Sequence, residues 1–201
     1  MVITASRGVA YLPSGANPSI LSIMGTTAPE EISLIELAER IGVSPRRIRY
    51  VVDQGIAGGV EGEGRRRVRT CHIVDAFAIG VASWLMEGGA RRDSVLTFVR
   101  TMTKRYPIPG IDHTQAQTSQ MAVLLGDQDT YYLDIGDNES VRFGRRSGDC
   151  NRRIKDGPWI SLRSRKERHA YDHPRVLIRI DLQALRQRLG IEPPSAAQNG
   201  D

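Results

Sequence analysis

Residues 33–55 constrain the fold of this chain more than any other segment, because they carry two helical patterns in close succession. Apolar residues recur three and four positions apart in each half, which places each set on one face of a helix. These positions are Leu34, Leu37, Ala38 and Ile41, then Ile48, Val51 and Val52. Ser33 and Gly42 are start and stop signals for the first helix, and Ser44 with Pro45 begins the second. The sequence therefore predicts two short amphipathic helices joined by a tight turn, a helix-turn-helix unit.

The segment after the second helix is predicted to form a hairpin and two further helices. Glycines separate short segments that contain Val60 and Val68, which is typical of a hairpin. The third predicted helix covers about residues 71–87 and the fourth covers about 92–105, where prolines stop helical structure. Residues 32–106 are thus expected to form one mainly helical domain.

Beyond residue 110, the pattern changes to short strands separated by turns, so a second domain is predicted. Strands are expected at 121–125, 130–135, 141–143 and 175–180, and a short helix capped by Asp181 at Leu182–Leu189. We expect residues 111–191 to form a small α+β domain, which makes the whole chain an α+β protein. Residues 1–31 are predicted to be an irregular arm and residues 192–201 a disordered tail.

Composition and cysteine usage exclude several classes of protein. Apolar residues make up 40% of the 201 residues and charged residues 25%, which is ordinary for a folded protein. No stretch approaches the roughly 20 apolar residues that a membrane helix needs, and the first residues carry no secretory signal. Two cysteines make no disulfide framework and favour a reducing compartment, so we expect a cytoplasmic protein without a membrane partner.

Arginine dominates the basic residues, and its placement points to double-stranded DNA as the partner. The net charge is +5, and only three of the 28 basic residues are lysines. Arginine donates in bidentate fashion to phosphates and to guanine edges. The candidate DNA-binding residues are Ser44, Arg46, Arg47, Arg49 and Tyr50 in the second helix and Arg65, Arg66, Arg67 and Arg69 in the hairpin. The alternative is that these arginines form a solvated face.

The residues from Ile32 to about Val99 resemble the winged-helix DNA-binding domain of the MerR family. The resemblance rests on the run Gly-Val-Ser-Pro-Arg-Arg-Ile-Arg-Tyr at residues 42–50, on the arginine-rich hairpin at 64–67 and on the segment 89–95. It implies a winged helix-turn-helix fold for residues 32–106. It also implies DNA contacts from Arg46, Arg47, Arg49 and Tyr50 of the recognition helix and from Arg66 and Arg67 of the wing.

The function that this resemblance implies is that of a transcription regulator in the cytoplasm, associated with the nucleoid. Similar winged domains occur in the excisionases and the small terminase subunits of phages and mobile elements. A DNA-binding protein of that kind is therefore the alternative function, because the motif alone does not separate the two.

Assembly as a homodimer is expected, because a two-fold dimer doubles the DNA contacts and reads a palindrome. The long dimerising helix usual in the MerR family is interrupted here by Pro107 and Pro109. We therefore expect an interface formed by the strand at 175–180 and by Leu182, Leu185 and Leu189. The alternative is a monomer with a second DNA contact from another segment of the chain.

That second contact could come from a basic run at residues 142–168. This run holds ten basic and three acidic residues, whereas residues 111–139 hold six acidic residues and no Lys or Arg. Because Phe143 and Trp159 lie in the run, it is predicted to be an auxiliary nucleic-acid contact. The alternative is that it pairs with the acidic segment before it.

No catalytic residue, metal site or cofactor is predicted, although three groups of residues have the chemistry of a metal site or a reactive thiol. They are the acidic residues Asp127, Asp129 and Asp134, the pair His169 and His173, and Cys71. The aspartates could hold Mg²⁺ in a nuclease, but two of them lie in a predicted turn, which favours aspartate for backbone reasons. The histidines are followed by a proline that favours a loop over a helix face. Cys71 is expected to be a packed small residue rather than a reactive thiol.

Overall fold

The computed structural model describes residues 31–55, 60–61, 69–107, 117–127, 129–146, 154–162 and 174–191. The first half contains, in chain order, β1 (Glu31–Ser33), α1 (Leu34–Ile41), α2 (Pro45–Asp53), β2 (Val60–Glu61), β3 (Thr70–His72), α3 (Ile73–Glu87) and α4 (Arg92–Thr103). The second half contains β4 (Arg105–Pro107), β5 (Gln117–Ser119), α5 (Gln120–Gly126), β6 (Thr130–Gly136), β7 (Ser140–Arg146), β8 (Ile154–Asp156), β9 (Ile160–Ser161), β10 (Leu177–Asp181) and α6 (Leu182–Arg188). The fold is α+β, as the sequence predicts. No helix within these described residues is long and apolar enough to cross a membrane.

The first two helices begin and end where the sequence predicts. The Ser33 hydroxyl accepts a hydrogen bond from the amide of Glu36 at 3.2 Å, and the Ser44 hydroxyl accepts one from Arg47 at 3.3 Å. Gly42 ends α1 with a φ of 72°, a left-handed conformation that glycine adopts without strain. The predicted arm 1–31 overlaps the described residues only at Glu31, which begins β1.

A small antiparallel sheet in the order β1-β3-β2 corrects the predicted start of the third helix. Cys71 lies opposite Ile32 of β1 and also opposite Val60 of β2, so it is a strand residue. Helix α3 begins two residues later, at Ile73, after His72 caps it by accepting from the amide of Val74 at 3.3 Å. In the described part of the chain, the strand that pairs with β2 is Thr70–His72, and Val68 lies outside the described residues.

The strand predicted at 121–125 is wrong, because this segment forms helix α5. The Ser119 hydroxyl caps the helix by accepting from the amide of Ala122 at 3.2 Å. Met121, Leu124 and Leu125 are buried, at the three- and four-residue spacing of a helix face. A short apolar run has no clear period, so the sequence alone does not separate a strand from one buried turn of helix. The fourth helix also ends earlier than predicted, at Thr103.

The larger antiparallel sheet has the order β10-β6-β7-β8, with β9 also paired to β7. Strands β6 and β7 are joined at Asp137 and Asn138, whose φ angles of 50° and 59° suit the tight turn predicted there. Leu133, Ile135 and their neighbours on β10, Ile178 and Ile180, are buried on the face toward the helices. The opposite face carries a polar network around Asp134, Arg142 and Arg179.

Helix α3 lies at the centre of the described structure and packs against elements from both halves of the chain. Its partners include α1, α2 and α4 on the N-terminal side and α5, α6 and β10 on the C-terminal side. The buried apolar residues of both halves belong to one continuous cluster. The division into domains at 32–106 and 111–191 therefore stays a prediction.

The predicted dimer surface is wrong in one respect. Leu182, Leu185 and Leu189 are each 0% exposed, because they pack into the core of their own chain. Leu185 lies against α3 where Gly80 leaves room for it, since a Cβ at Gly80 would lie 2.8 Å from Leu185 Cδ1. These leucines are not available to a second copy, so a homodimer would need another surface.

Candidate nucleic-acid interface

Helix α2 presents one buried face and one exposed face. Ile48 and Val51 are fully buried and Val52 nearly so, which fixes the helix against α1 and α3. The residues predicted to contact DNA lie on the other side or at the start of the helix: Ser44, Arg46, Arg49 and Tyr50 are exposed and Arg47 is half-buried. Because the inner face is held by the core, the outer side chains project from a rigid support.

The arginines of α2 have no ion-pair partner in the described part of the chain. No carboxylate there forms an ion pair with Arg46, Arg47 or Arg49. Elsewhere, Arg40 pairs with Glu36, Arg69 with Asp53, Arg142 with Asp134 and Asp156, Arg145 with Asp127, and Arg179 with Asp134. Within the described residues, the outer side of α2 thus brings together three guanidinium groups that no carboxylate pairs with.

A second group of exposed basic residues lies along α4. Arg92, Arg100 and Lys104 are exposed, and Asp93 lies among them on the same helix. Arg92 lies in the first turn of α4, as Arg46 and Arg47 do in α2. The basic residues of this group serve as matched controls for the arginines of α2.

The predicted contact residue Arg69 is engaged within the chain. Its Nη1 donates to Oδ1 of Asp53 at 2.8 Å, and both side chains are about half exposed. The pair connects the end of α2 with the residue just before β3. An exposed ion pair contributes little stability, so the pair marks where Arg69 lies, beside the end of α2, and not a strong restraint.

The other hairpin arginines, Arg65, Arg66 and Arg67, lie outside the described residues. The described strands before and after them, β2 and β3, are antiparallel neighbours in the sheet. Contacts of these three arginines with DNA stay a prediction.

In the described part of the basic run 142–168, Arg142 and Arg145 form ion pairs, whereas Arg146 is exposed. Arg142 bonds to Asp134 at 2.8 Å and to Asp156 at 2.7 Å, and Arg145 pairs with Asp127 at 3.1 Å. Asp134 is fully buried and also accepts two bonds from Arg179. Two of these pairs, Arg142–Asp134 and Arg145–Asp127, join the basic run to the acidic segment before it, which favours the pairing alternative over an auxiliary contact.

Aromatic rings cover this network on the outer face of the larger sheet. The guanidinium of Arg142 lies 4.6 Å from the ring of Trp159, and that of Arg179 lies 3.7 Å from the ring of Tyr132. Burial, followed by the hydrogen bond between the Tyr132 hydroxyl and Asp156, raises the pKa of Tyr132. These rings therefore stack on guanidinium groups of the same chain, which leaves less of their faces available to stack on a nucleic-acid base.

The candidate metal residues are engaged in the same kind of contact. Asp134 is surrounded by two guanidinium groups, and Asp127 accepts from the Thr130 hydroxyl at 2.7 Å and from the amide of Asp129 at 3.1 Å. In the described part of the chain, no group of three His, Cys, Asp or Glu residues is placed to hold a metal ion. His169 and His173 lie outside the described residues.

Cys71 is a packed residue, as expected. It is buried in β3, and its thiol donates to the carbonyl oxygen of Ile32 at 3.7 Å. Burial, with the charges of Asp75 and Glu31 adding to it, raises the pKa of the Cys71 thiol to about 12. A thiol held neutral in this way is a poor nucleophile.

Three arginines of the C-terminal half have roles that the sequence analysis missed. Arg186 and Arg188 of α6 donate to backbone carbonyls of other elements, and Arg179 binds the buried Asp134. The signal available in the sequence was a buried position for Arg186, beside Leu182 and Leu185 on an amphipathic helix. Comparison with known protein families and with characterised proteins found no match to this sequence.

Proposed function

We propose that this chain binds double-stranded DNA with a sequence preference and that α2 is its recognition helix. The observation that carries the proposal is the set of guanidinium groups of Arg46, Arg47 and Arg49, the first and last exposed and Arg47 half-buried, which have no carboxylate partner among the described residues. Such groups are free to donate to phosphates and to guanine edges. The apolar face of α2 is buried, so these donors can enter a major groove as one rigid unit.

The order of the elements around α2 supports the same proposal. The sequence β1-α1-α2-β2-β3-α3 places a hairpin after the proposed recognition helix, as in a winged helix-turn-helix domain. Arg69, the residue just before β3, forms its ion pair with Asp53 beside the end of α2. In the proposed complex, α2 lies in the groove and Arg65, Arg66 and Arg67 meet the adjacent backbone.

We propose regulation of transcription as the purpose of this binding, in line with the resemblance to the MerR family. An excisionase or a small subunit of a packaging terminase is the alternative, because the same contacts with DNA serve those functions. Genome-wide mapping of the bound DNA separates them. Sites at promoters support a regulator, and sites confined to attachment or packaging regions support the alternative.

Replacing Arg46 or Arg49 with Ala tests the DNA-binding proposal directly. We expect each change to weaken binding to a labelled duplex by about tenfold or more, because a lost guanidinium contact is worth about 1–3 kcal/mol. If the lost contact is to a phosphate, the slope of log affinity against log salt should fall by about 1. Fluorescence anisotropy over a salt series measures both quantities.

Arg100→Ala is the matched control, since it removes one exposed positive charge from α4 and leaves α2 intact. It should bind like the wild-type protein, and all three variants should melt at the wild-type temperature. If Arg46→Ala and Arg49→Ala keep the wild-type affinity, α2 is not the recognition helix.

A further inference from the structure

An arginine near the C-terminal end of each of the helices α1 and α6 donates a hydrogen bond to a backbone carbonyl at the end of the other. Arg188, in the last turn of α6, donates from Nη1 to the carbonyl oxygen of Ile41 at 2.8 Å, where α1 ends. In return Arg40, in the last turn of α1, donates from Nη1 to the carbonyl oxygen of Leu189 at 3.2 Å. Each helix thereby satisfies a terminal carbonyl of the other, which its own backbone cannot reach.

Trp84 of α3 strengthens the contact at the end of α1. Its indole N–H donates to the same Ile41 carbonyl at 3.2 Å, and the guanidinium of Arg188 lies 5.5 Å from the centre of its ring. We call the contact of Arg188 and Trp84 with the Ile41 carbonyl the turn clamp. A Cβ at Gly42 would lie 2.7 Å from Arg188 Nη1, so a side chain there would displace the clamp.

The turn clamp acts where the direction of α2 is decided. Ile41 is the last residue of α1, and α2 begins at Pro45 after a short turn. The amide of Val43 in this turn donates to the carbonyl of Ala38 at 3.0 Å, which ties the turn to α1. A fixed Ile41 carbonyl therefore fixes the start of α2 relative to α3.

Helix α6 is itself held by the C-terminal half of the chain. The buried guanidinium of Arg186 donates to the carbonyls of Leu124, Leu125, Asp127 and Thr130, at the end of α5 and the start of β6. A displacement of α6 would therefore move Arg188 away from the turn. Helix α6 therefore links the C-terminal half, through Arg186, to the turn before α2, through Arg188.

We propose that Arg188 is a positioning residue for DNA recognition, through which the C-terminal helix α6 sets the orientation of α2. This inference rests on the proposed function, because it concerns the same recognition helix. Base contacts require placement within about 0.5 Å, whereas phosphate contacts tolerate more movement. Loss of the clamp should therefore lower the affinity for a preferred sequence and spare the affinity for random DNA.

Arg188→Met tests the proposal, with Arg188→Lys as the conservative variant. Two labelled probes are used: a duplex that the wild-type protein enriches from a random library, and a duplex of random sequence. For Arg188→Met we expect about tenfold weaker binding to the enriched duplex and less than about twofold change for the random duplex. Arg188→Lys keeps a donor that can reach the Ile41 carbonyl and should recover most of the difference.

Arg100→Met controls for the loss of one positive charge and should bind both probes like the wild type. Equal weakening on both probes, or no weakening on either, would overturn the proposal. If Arg188→Met does not fold, Trp84→Phe replaces it, since this change removes only the indole donor to Ile41 and should produce the same selective loss. A Trp84→Phe variant with wild-type preference would then overturn the proposal.

Hydrogen exchange at the Val43 amide separates failure of this proposal from failure of the proposed function. The exchange rate should rise in Arg188→Met and stay at the wild-type value in Arg100→Met, whether or not DNA is present. If the wild-type protein binds no duplex, the proposed function fails and the exchange measurement still decides whether Arg188 positions the turn. Unchanged exchange in Arg188→Met would overturn the clamp itself.

Discussion

Arg186 is a charged residue that is buried in the core and hydrogen-bonded to elements distant in sequence. Its side chain is 0% exposed and forms no ion pair with a carboxylate of the described residues, yet its guanidinium donates to four backbone carbonyls. Burial lowers the pKa of Arg186 to about 10, which leaves it charged at neutral pH. A buried cation is tolerated only when its N–H groups are hydrogen-bonded, and here the acceptors are backbone carbonyls at the end of α5 and the start of β6.

At the same scale, Cys71 should make the protein less stable in alkali. Its thiol pKa is about 12 in the folded chain and 9.0 when unperturbed, so the folded state holds a proton that the unfolded state loses. The stability from this neutral thiol is complete below pH 9 and is lost as the pH rises toward 12. The loss approaches about 1.4 kcal/mol per pH unit within that range.

Urea unfolding of the wild type and of Cys71→Ala at several values between pH 8 and pH 10 measures this contribution. The variant should be less stable at pH 8, because a packed side chain is truncated, but its stability should fall less steeply with pH. Parallel pH profiles for the two proteins would mean that Cys71 ionises as freely in the fold as in the unfolded chain. The titration of Arg186 has the opposite sign, but it is common to both proteins and cancels in the difference between their profiles.

Among the elements, the β6–β7 turn stabilises the start of α4. Arg91, the N-cap residue of α4, has no side-chain acceptor for the helix, and its own amide donates to Oδ1 of Asn138 at 2.7 Å. The Ser94 hydroxyl donates to the carbonyl of the same Asn138 at 2.5 Å. A hairpin distant in sequence thus satisfies the polar groups at a helix end.

Substitutions at Asn138 should separate its two contributions. Asn138→Gly keeps the left-handed backbone and loses the acceptor for Arg91, so we expect a loss of about 1 kcal/mol in the free energy of unfolding. Asn138→Ala loses the same acceptor and places alanine, which tolerates a φ of 59° worse than asparagine or glycine, so it should cost about 1 kcal/mol more than Asn138→Gly. Chemical denaturation of both variants gives the comparison. Equal losses would show that backbone conformation contributes nothing at this turn.

Elements also differ in how well the sequence predicts them. Helices α1 and α2 carry both periodicity and capping signals, and the structure begins and ends them where those signals lie. Helix α5 carries a short apolar run without a clear period, and the strand predicted there was wrong. The difference arises because α1 and α2 are specified locally, whereas α5 is held at its far end by Arg186, 61 residues from Leu125.

For the molecule as a whole, the position of α3 suggests a single folding unit. Leu185 packs against α3 at Gly80, the Arg186 guanidinium lies 5.8 Å from the Phe77 ring, and a Cβ at Gly88 would meet Ile178 at 2.7 Å. These contacts cover one side of α3 with residues from the C-terminal half. Without that half, α3 would expose an apolar face to water.

A truncated chain of residues 1–110 should therefore lack a cooperative thermal transition. The full chain and a chain of residues 1–191 should each unfold in one transition, with equal calorimetric and van't Hoff enthalpies. Scanning calorimetry with circular dichroism compares the three. A cooperative transition in residues 1–110 would instead support the two independent domains that the sequence predicts.

The sequence by itself determined the helices α1 and α2, the turn between them, the β6–β7 hairpin and the face on which the arginines of α2 lie. Each depends on periodicity, a capping side chain or a turn residue within a few positions, so the sequence of one short segment is enough to predict it. The partners of most of the other arginines were decided only by the tertiary structure. Arg142 and Arg179 meet at Asp134 across three strands, and Arg188 reaches the end of α1 from 147 residues away, because folding joins segments whose spacing in the chain carries no signal.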